Sequence, residues 1–387
     1  MALGVGALPR ICADLYVQST TYYAHNLRFS RNIHVILGAL AKVGRFSVGK
    51  LTVEQVAKLS GVSRSTVSRV INNHPNVKPG VRQRVLEVIA ETGYHPNPAA
   101  RSLASRRSGI IGLVIPRAVQ SLFTDPYYPR LMQGVAQACN ANDYTLSLFL
   151  FHTEDEEQKL YPRVLRTRLV DGVIVSASQI DDPLIPELIN NHMPFVMVGR
   201  PNDLPQVNFV NVDNAVGAYA ATSYLIRLGY KCIATITGPL NTTVGLDRRQ
   251  GYRDALNDRS RSIDEALIVE GDFSELGGYA AMQRLIPHQP DAVFVASDTM
   301  AFGALRALRE VGLSVPDDVA VLGFDDLPTS ALSDPPLTTI RQPIRRVGAQ
   351  AVEILIDILT NGPEPPRRIT LSTELVIRSS CASRSGA

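Results

Sequence analysis

Tryptophan is absent from the 387 residues, aromatic residues make up only 6%, and cysteine occurs four times. The missing tryptophan excludes nothing. Cys12, Cys139, Cys232 and Cys381 lie too far apart for a metal-ligand spacing or a disulfide framework, which fits a reducing, cytoplasmic location. No apolar run approaches the ~18 residues that a membrane span requires, so no membrane partner is expected. A short apolar run precedes Arg10, the reverse of the order in a secretory signal. Catalytic signatures are missing too: there is no Gly-x-Ser-x-Gly elbow and no His-Glu-x-x-His, and the seven histidines do not cluster. Residues 44–50 resemble part of a phosphate loop. Leu51 follows them where Ser or Thr should hold the metal, and no apolar strand precedes, so the match reads as chance. Neither an enzyme nor a cofactor or metal site is expected.

Net charge is also scarce, at +3, but unevenly spread. Residues 1–107 hold 15 Lys+Arg against 4 Asp+Glu, a net of +11, and residues 108–387 hold 24 against 32, a net of −8. Such a split points to a module for a polyanion joined to an acidic globular body. With 45% hydrophobic and 19% charged residues the chain can bury a large core. Its length favours more than one domain.

Residues 1–50 are basic and lack clear periodicity. One reading is a disordered basic arm; the other, preferred one is a mis-assigned start, the true start lying near Val48. No second Met occurs before Met132, so that start requires a non-AUG codon.

Organised sequence begins at Leu51. Thr52 and Gln55 have capping-box spacing, and Val53, Val56, Ala57 and Leu59 fall at helical intervals. Gly61 ends that helix and Ser63 caps a second, with Val67, Val70 and Ile71 on one face and Arg64, Ser65, Ser68 and Arg69 on the other. Two short helices joined by Ser60-Gly61-Val62 form a helix-turn-helix, whose polar, cationic face suits a major groove. Pro79 opens a third helix striped by Val81, Val85, Val88 and Ile89 and stopped by Gly93; Lys78 stands where a capping Ser or Thr is expected. A cationic linker follows, too short to be a stable helix alone.

Beyond Gly109, apolar runs at 110–116, 144–151, 171–177, 194–199, 232–238, 292–297 and 319–324 are separated by amphipathic helices. This alternation predicts parallel α/β sheet, and ~280 residues favour two lobes. Ligands of such sheets gather at the carboxyl ends of strands, here Arg117, His152, Ser176, Arg200, Asp213, Phe273, Asp298 and Asp325. A charged residue just past a strand often merely caps the next helix.

The run LTVEQVAKLSGVSRSTVSRVINNHPNVKPGVRQRVLEVIAETGYHPNPAARSLASRRSGIIGLVIP resembles the DNA-binding head of the lactose-repressor (LacI/GalR) family. The likeness continues through VNFVNVDNAVGAYAATSYLIRLGY, RRQGY, ASDTMAFGALRALREVGLSVPDDVAVLGFDD and PPLTTIRQP, covering residues 51 to about 380. It implies a small all-α helix-turn-helix head at 51–95, a hinge helix or linker at 96–107, a two-lobed α/β periplasmic-binding-protein-like sensor at 108–380 and a tail at 381–387. By analogy the chain crosses between lobes near 208, 324 and 340. Lobe 1 is then 108–210 with 324–340, and lobe 2 is 211–323 with 341–380.

The resemblance places Arg64, Ser65, Thr66, Ser68 and Arg69 on the recognition helix; Thr52, Ser63 and Asn72 complete the DNA-facing set. It makes 97–104 the hinge helix, with Asn97, Ala100 and Arg106 on DNA and Leu103 as a wedge in a minor-groove step. It makes Arg248 and Asp298 effector ligands and Phe273 the aromatic against the effector. Asp125-Pro126-Tyr127-Tyr128 stands where the family often has Asn-Pro-Phe-Phe, which brings Asp125 and Tyr127 to the cleft; Arg200 and Asp325 follow from their strand ends. The implied protein is a cytoplasmic homodimeric repressor without higher assembly. Its partners are a pseudo-palindromic double-stranded operator and a small effector, a sugar or sugar derivative, and it needs no cofactor.

Overall fold

The computed structural model describes residues 51–71, 74–94, 107–115, 125–151, 156, 159, 169–176 and 179–383. They form two compact units. Residues 1–50, most of the hinge (Asn97, Ala100, Leu103 and Arg106 included), Asn72, Arg117, His152 and the last four residues of the tail lie outside the described set.

The first unit contains α1 (Val53–Ser60), α2 (Arg64–Ile71) and α3 (Pro79–Thr92). The capping box closes both ways: the Gln55 N–H donates to Thr52 Oγ1 at 3.4 Å and the Thr52 N–H to Gln55 Oε1 at 2.8 Å. Gly61 terminates α1 at φ +65°, a left-handed conformation that glycine adopts without strain. The Thr66 N–H donates to Ser63 Oγ at 3.2 Å, so Ser63 caps α2. Pro79 stands at the start of α3, and Lys78 makes no side-chain cap. Val56, Ala57, Val67, Val70, Val85 and Tyr94 bury one small core.

The second unit contains two six-stranded sheets. The first lobe holds β1 (Ile110–Ile115), α4 (Tyr127–Ala141), β2 (Thr145–Leu150), β3 (Gly172–Ser176), α5 (Leu184–Asn190), β4 (Phe195–Val198) and β5 (Phe209–Val212). The second holds α6 (Asn214–Arg227), β6 (Ile233–Thr237), α7 (Thr243–Asn257), β7 (Ile268–Glu270), α8 (Glu275–Leu285), β8 (Ala292–Val295), α9 (Asp298–Glu310), β9 (Ala320–Asp325) and β10 (Thr338–Arg341). The chain then returns to the first lobe through α10 (Ile344–Asn361) and β11 (Arg368–Leu371), and ends its sheet structure in the second with β12 (Glu374–Val376). The sheet orders are β11-β5-β4-β3-β1-β2 and β12-β10-β9-β8-β6-β7. Pairing is parallel except at β10–β12.

This topology corrects the expected division after residue 323. β9 and β10 pair with each other in the second sheet, and Leu337 is buried in that lobe's core, so 324–340 does not belong to lobe 1. Conversely, 344–371 does not belong to lobe 2: Val347, Ala351, Val352, Leu355 and Ile358 of α10 pack with Leu131 and Val135 of α4 and the first-lobe strands. The crossings fall at 212–214, 341–344 and 371–374. No crossing occurs at 324, and the one before β12 was not anticipated.

Candidate functional site

In the first unit, Arg64, Ser65, Ser68 and Arg69 are exposed along α2, as is Thr52 at the start of α1. Thr66 is half-buried, and its hydroxyl lies 2.9 Å from that of Ser63. Arg64 is held from the neighbouring helix, its Nε 3.2 Å from Glu54 Oε1. Both side chains are largely exposed, so this pair orients Arg64 more than it stabilises the fold.

The second unit carries a cavity of about 270 Å³ where the carboxyl ends of both sheets face each other. Its wall includes Asp125, Tyr127, Arg200, Arg248, Phe273 and Asp325 from the sequence-derived set. It also includes Ser176, another of the strand-end residues, together with Gln179, Asn211, Asn214, Thr243 and Gln342.

Arg248, on α7, is fully enclosed. Its Nε donates to Asn214 Oδ1 at 2.8 Å and its Nη1 to the Ala296 carbonyl at 2.5 Å, and its guanidinium lies 3.6 Å over the Phe324 ring. Asp325 Oδ1 stands 3.7 Å from Nη1 and accepts from Gln342 Nε2 at 2.5 Å. Burial lowers the pKa of Arg248 and raises that of Asp325, the pairing opposing both shifts. Asp325 has φ +123° and Phe273 φ +66°, conformations that bulky L-residues rarely adopt. Phe273 lies against Gly238, where a Cβ would stand 2.2 Å from ring atom Cζ, so glycine makes room for the ring.

Asp125 accepts from the Tyr127 N–H at 3.0 Å and from Thr299 Oγ1, in the other lobe, at 3.2 Å. Burial raises its pKa against these hydrogen bonds. Burial also raises Tyr127, which keeps its phenol protonated. The Ser176 hydroxyl is buried at the end of β3 and has no hydrogen-bond partner among the described residues.

Arg200 joins the lobes. Its Nε and Nη2 donate to Asp247 Oδ2 and Oδ1 at 2.8 and 2.6 Å. Thr243 Oγ1 donates to the Arg200 carbonyl at 2.8 Å, and the Ile180 N–H to the Asn241 carbonyl at 2.7 Å.

Asp298 departs from expectation: it is fully buried and does not line the cavity. Its Oδ2 accepts from the Leu327 N–H at 2.9 Å and Ser330 Oγ at 2.6 Å, and its Oδ1 from Thr339 Oγ1 at 2.5 Å. Gly323 leaves room for the carboxylate, since a Cβ there would lie 2.3 Å from Oδ1. Burial pushes its pKa up to about 6 despite three donors. Asp298 therefore ties α9 to the 327–330 turn and β10. Asp213 likewise caps α6, accepting from the Val216 N–H at 3.3 Å. Asn211, Asn214 and Gln342 were missed, although V-N-V-D-N and R-Q-P carry them at two crossings.

Residues 52–97 match the family described as "Bacterial regulatory proteins, lacI family", and residues 222–381 match "Periplasmic binding protein-like domain". The chain is 41% identical to the HTH-type transcriptional regulator CelR of Thermobifida fusca over 333 residues, covering 85% of this chain and 98% of that one. It belongs to the lacI family of bacterial regulatory proteins. A further lacI-family relative, the HTH-type transcriptional repressor PurR of Edwardsiella ictaluri, is 37% identical over 86% of this chain and 97% of its own. Among solved structures, a CelR–cellobiose complex superposes with TM-score 0.69 at 39% identity, over 85% of this chain and 99% of that one. A lac repressor dimer bound to operator and the anti-inducer ONPF gives TM-score 0.75 at 26% identity, over 86% and 100%. This lacI-family chain is thus a DNA-binding transcriptional regulator and not an enzyme. No helix among the described residues is long and apolar enough to cross a membrane.

Proposed function

We propose that the protein is a cytoplasmic, homodimeric repressor whose affinity for a pseudo-palindromic operator is set by a small sugar or sugar derivative held between the two lobes. The observation that carries this reading is the inter-lobe cavity, whose wall combines carboxylates, one enclosed guanidinium and an aromatic ring. Carboxylates accept from vicinal hydroxyls, Arg248 donates to a ring or hydroxyl oxygen, and the Phe273 face covers the C–H side of a sugar ring. The CelR–cellobiose complex supports the same ligand class. Effector binding favours one lobe arrangement by its difference in affinity for the two, and the operator responds by linkage. On DNA, α2 enters the major groove, and Leu103 acts as a wedge in a minor-groove step; two-fold symmetry of the dimer makes the operator palindromic.

The test is an operator mobility shift with and without cellobiose, glucose, ribose and purine bases. A sugar that releases the operator at saturating concentration supports the reading. Release by none of them, with operator binding intact, overturns it.

A further inference from the structure

We propose that the cleft selects an uncharged polyol, a free mono- or disaccharide, and rejects its phosphorylated form; this rests on the sugar-site reading above. Among the described residues, the cavity wall carries two cations, Arg200 and Arg248, and three carboxylates, Asp125, Asp272 and Asp325. Each cation already has a carboxylate beside it, so neither brings an unpaired positive charge to the wall. Arg200 gives Nε and Nη2 to Asp247 in a bidentate pairing and Nη1 to the Pro201 carbonyl, so its charge is already neutralised by a carboxylate. Arg248 gives Nε to Asn214 and Nη1 to Ala296 and has Asp325 beside it, so its charge is paired while Nη2 is left to donate to a neutral oxygen.

Helix N-termini are the other natural anion sites of such a cleft. Here α6, α7, α8 and α9 all start next to it, and each is already capped from its own chain. Asp213 accepts from the Val216 N–H, Thr242 from Gly245, Ser274 from Gly277 and Ser297 from Met300. Asp125 meets no cation within ion-pair distance among the described residues; it accepts from Tyr127 and Thr299 alone. A phosphoryl group carrying a charge of about −1.5 to −2 would enter a wall of net negative charge. Neutral hydroxyls, in contrast, supply the donors that these carboxylates lack, and the Ser176 hydroxyl, without a partner among the described residues, offers one more polar contact.

The experiment is calorimetric titration of the full chain with matched pairs at fixed ionic strength: cellobiose and cellobiose 6′-phosphate, glucose and glucose 6-phosphate, ribose and ribose 5-phosphate. The neutral member of at least one pair should bind, with its phosphate at least tenfold weaker. Equal or tighter binding of the phosphate overturns the inference while leaving a sugar site intact. Silence of every compound, with operator binding retained, overturns the sugar reading itself and the inference with it. Asp125→Asn supplies the second readout: removing one wall carboxylate should narrow the neutral-to-phosphate ratio at least threefold. An unchanged ratio shows that wall charge is not what discriminates.

Discussion

Replacing Asp298 tests whether it is a structural tie or an effector ligand. Three donors converge on its carboxylate, from Leu327, Ser330 and Thr339. Hydrogen bonds to an ionised acceptor contribute about 1.5–3 kcal/mol each, so their loss amounts to about 6 kcal/mol. Against this, the carboxyl is pushed up to about 6 from 3.8 by burial. Taking an ionised group out of water costs several kcal/mol, so removing it returns about 3 kcal/mol. Stranding two hydroxyls and an N–H in a dry site adds about 1 kcal/mol or more. Asp298→Ala should therefore cost about 4 kcal/mol, a fall in melting temperature of about 10 °C for a lobe of this size. Asp298→Asn, which keeps one acceptor oxygen, should cost about half as much. Thermal and denaturant unfolding of the full-length variants, followed by circular dichroism, measures this directly. If Asp298→Ala unfolds within about 0.5 kcal/mol of the parent while effector binding is lost, the reasoning fails and Asp298 is a ligand contact after all.

Three shorter predictions follow from the same geometry. A double-mutant cycle on Arg200→Met and Asp247→Asn should show a coupling of about 1.5 kcal/mol in effector affinity, about tenfold, because the bidentate pair is only partly screened and joins the lobes across the cleft. Additive single effects would remove it as an inter-lobe latch. Arg64→Ala should change base preference in operator selection, whereas Arg106→Ala should weaken all sequences alike and flatten the salt dependence; identical profiles would deny Arg64 a base contact. Asp298 and Asp325 bind protons more tightly folded than unfolded. The sensor should therefore gain stability as pH falls from about 6 toward 4, then lose it below about 3.8 as carboxylates held down by arginines, such as Asp326, protonate. A melting temperature that is flat or falling between pH 7 and 5, or a rise left undiminished by Asp298→Asn, would contradict this.

Legibility of the sequence depended on what each signal measures. The seven apolar runs correspond to β1, β2, β3, β4, β6, β8 and β9; the inner parallel strands are buried on both faces and so continuous in apolar character, and the edge strand β2 is apolar though half-exposed. β5, β7, β10, β11 and β12 escaped, each being only three or four residues long. Apolar periodicity also cannot say which of two similar sheets a strand joins. Thr338–Arg341 pairs with β9 and Arg368–Leu371 with β5, long-range choices that no local pattern encodes. At the site, strand-end position brought Ser176, Arg200, Phe273 and Asp325 to the cleft wall. The same logic misplaced Asp298 and Asp213, whose Cα atoms lie near strand ends but whose carboxylates turn into the protein or cap a helix. Asp247, the partner of Arg200, sits within a helix and gave no signal.

The crossings explain how a ligand in this cavity can act on the whole sensor. Asn211 and Asn214 flank the crossing at 212–214, and the Asn214 side chain donates to the Val212 carbonyl and to Asn211 while accepting from Arg248. Gln342 lies in the crossing at 341–344 and donates to Asp325, the residue with the left-handed backbone at the end of β9. A ligand that touches Arg248 and Asp325 thus competes with, or completes, the same hydrogen bonds that fix two of the three connections between lobes. Couplings between sites are typically about 1–3 kcal/mol. That range matches what one bidentate ion pair made in a single lobe arrangement supplies. The Arg200–Asp247 pair, the Thr299–Asp125 hydrogen bond and the Ile180–Asn241 contact are therefore enough, without any further device, to make effector occupancy and lobe arrangement depend on each other.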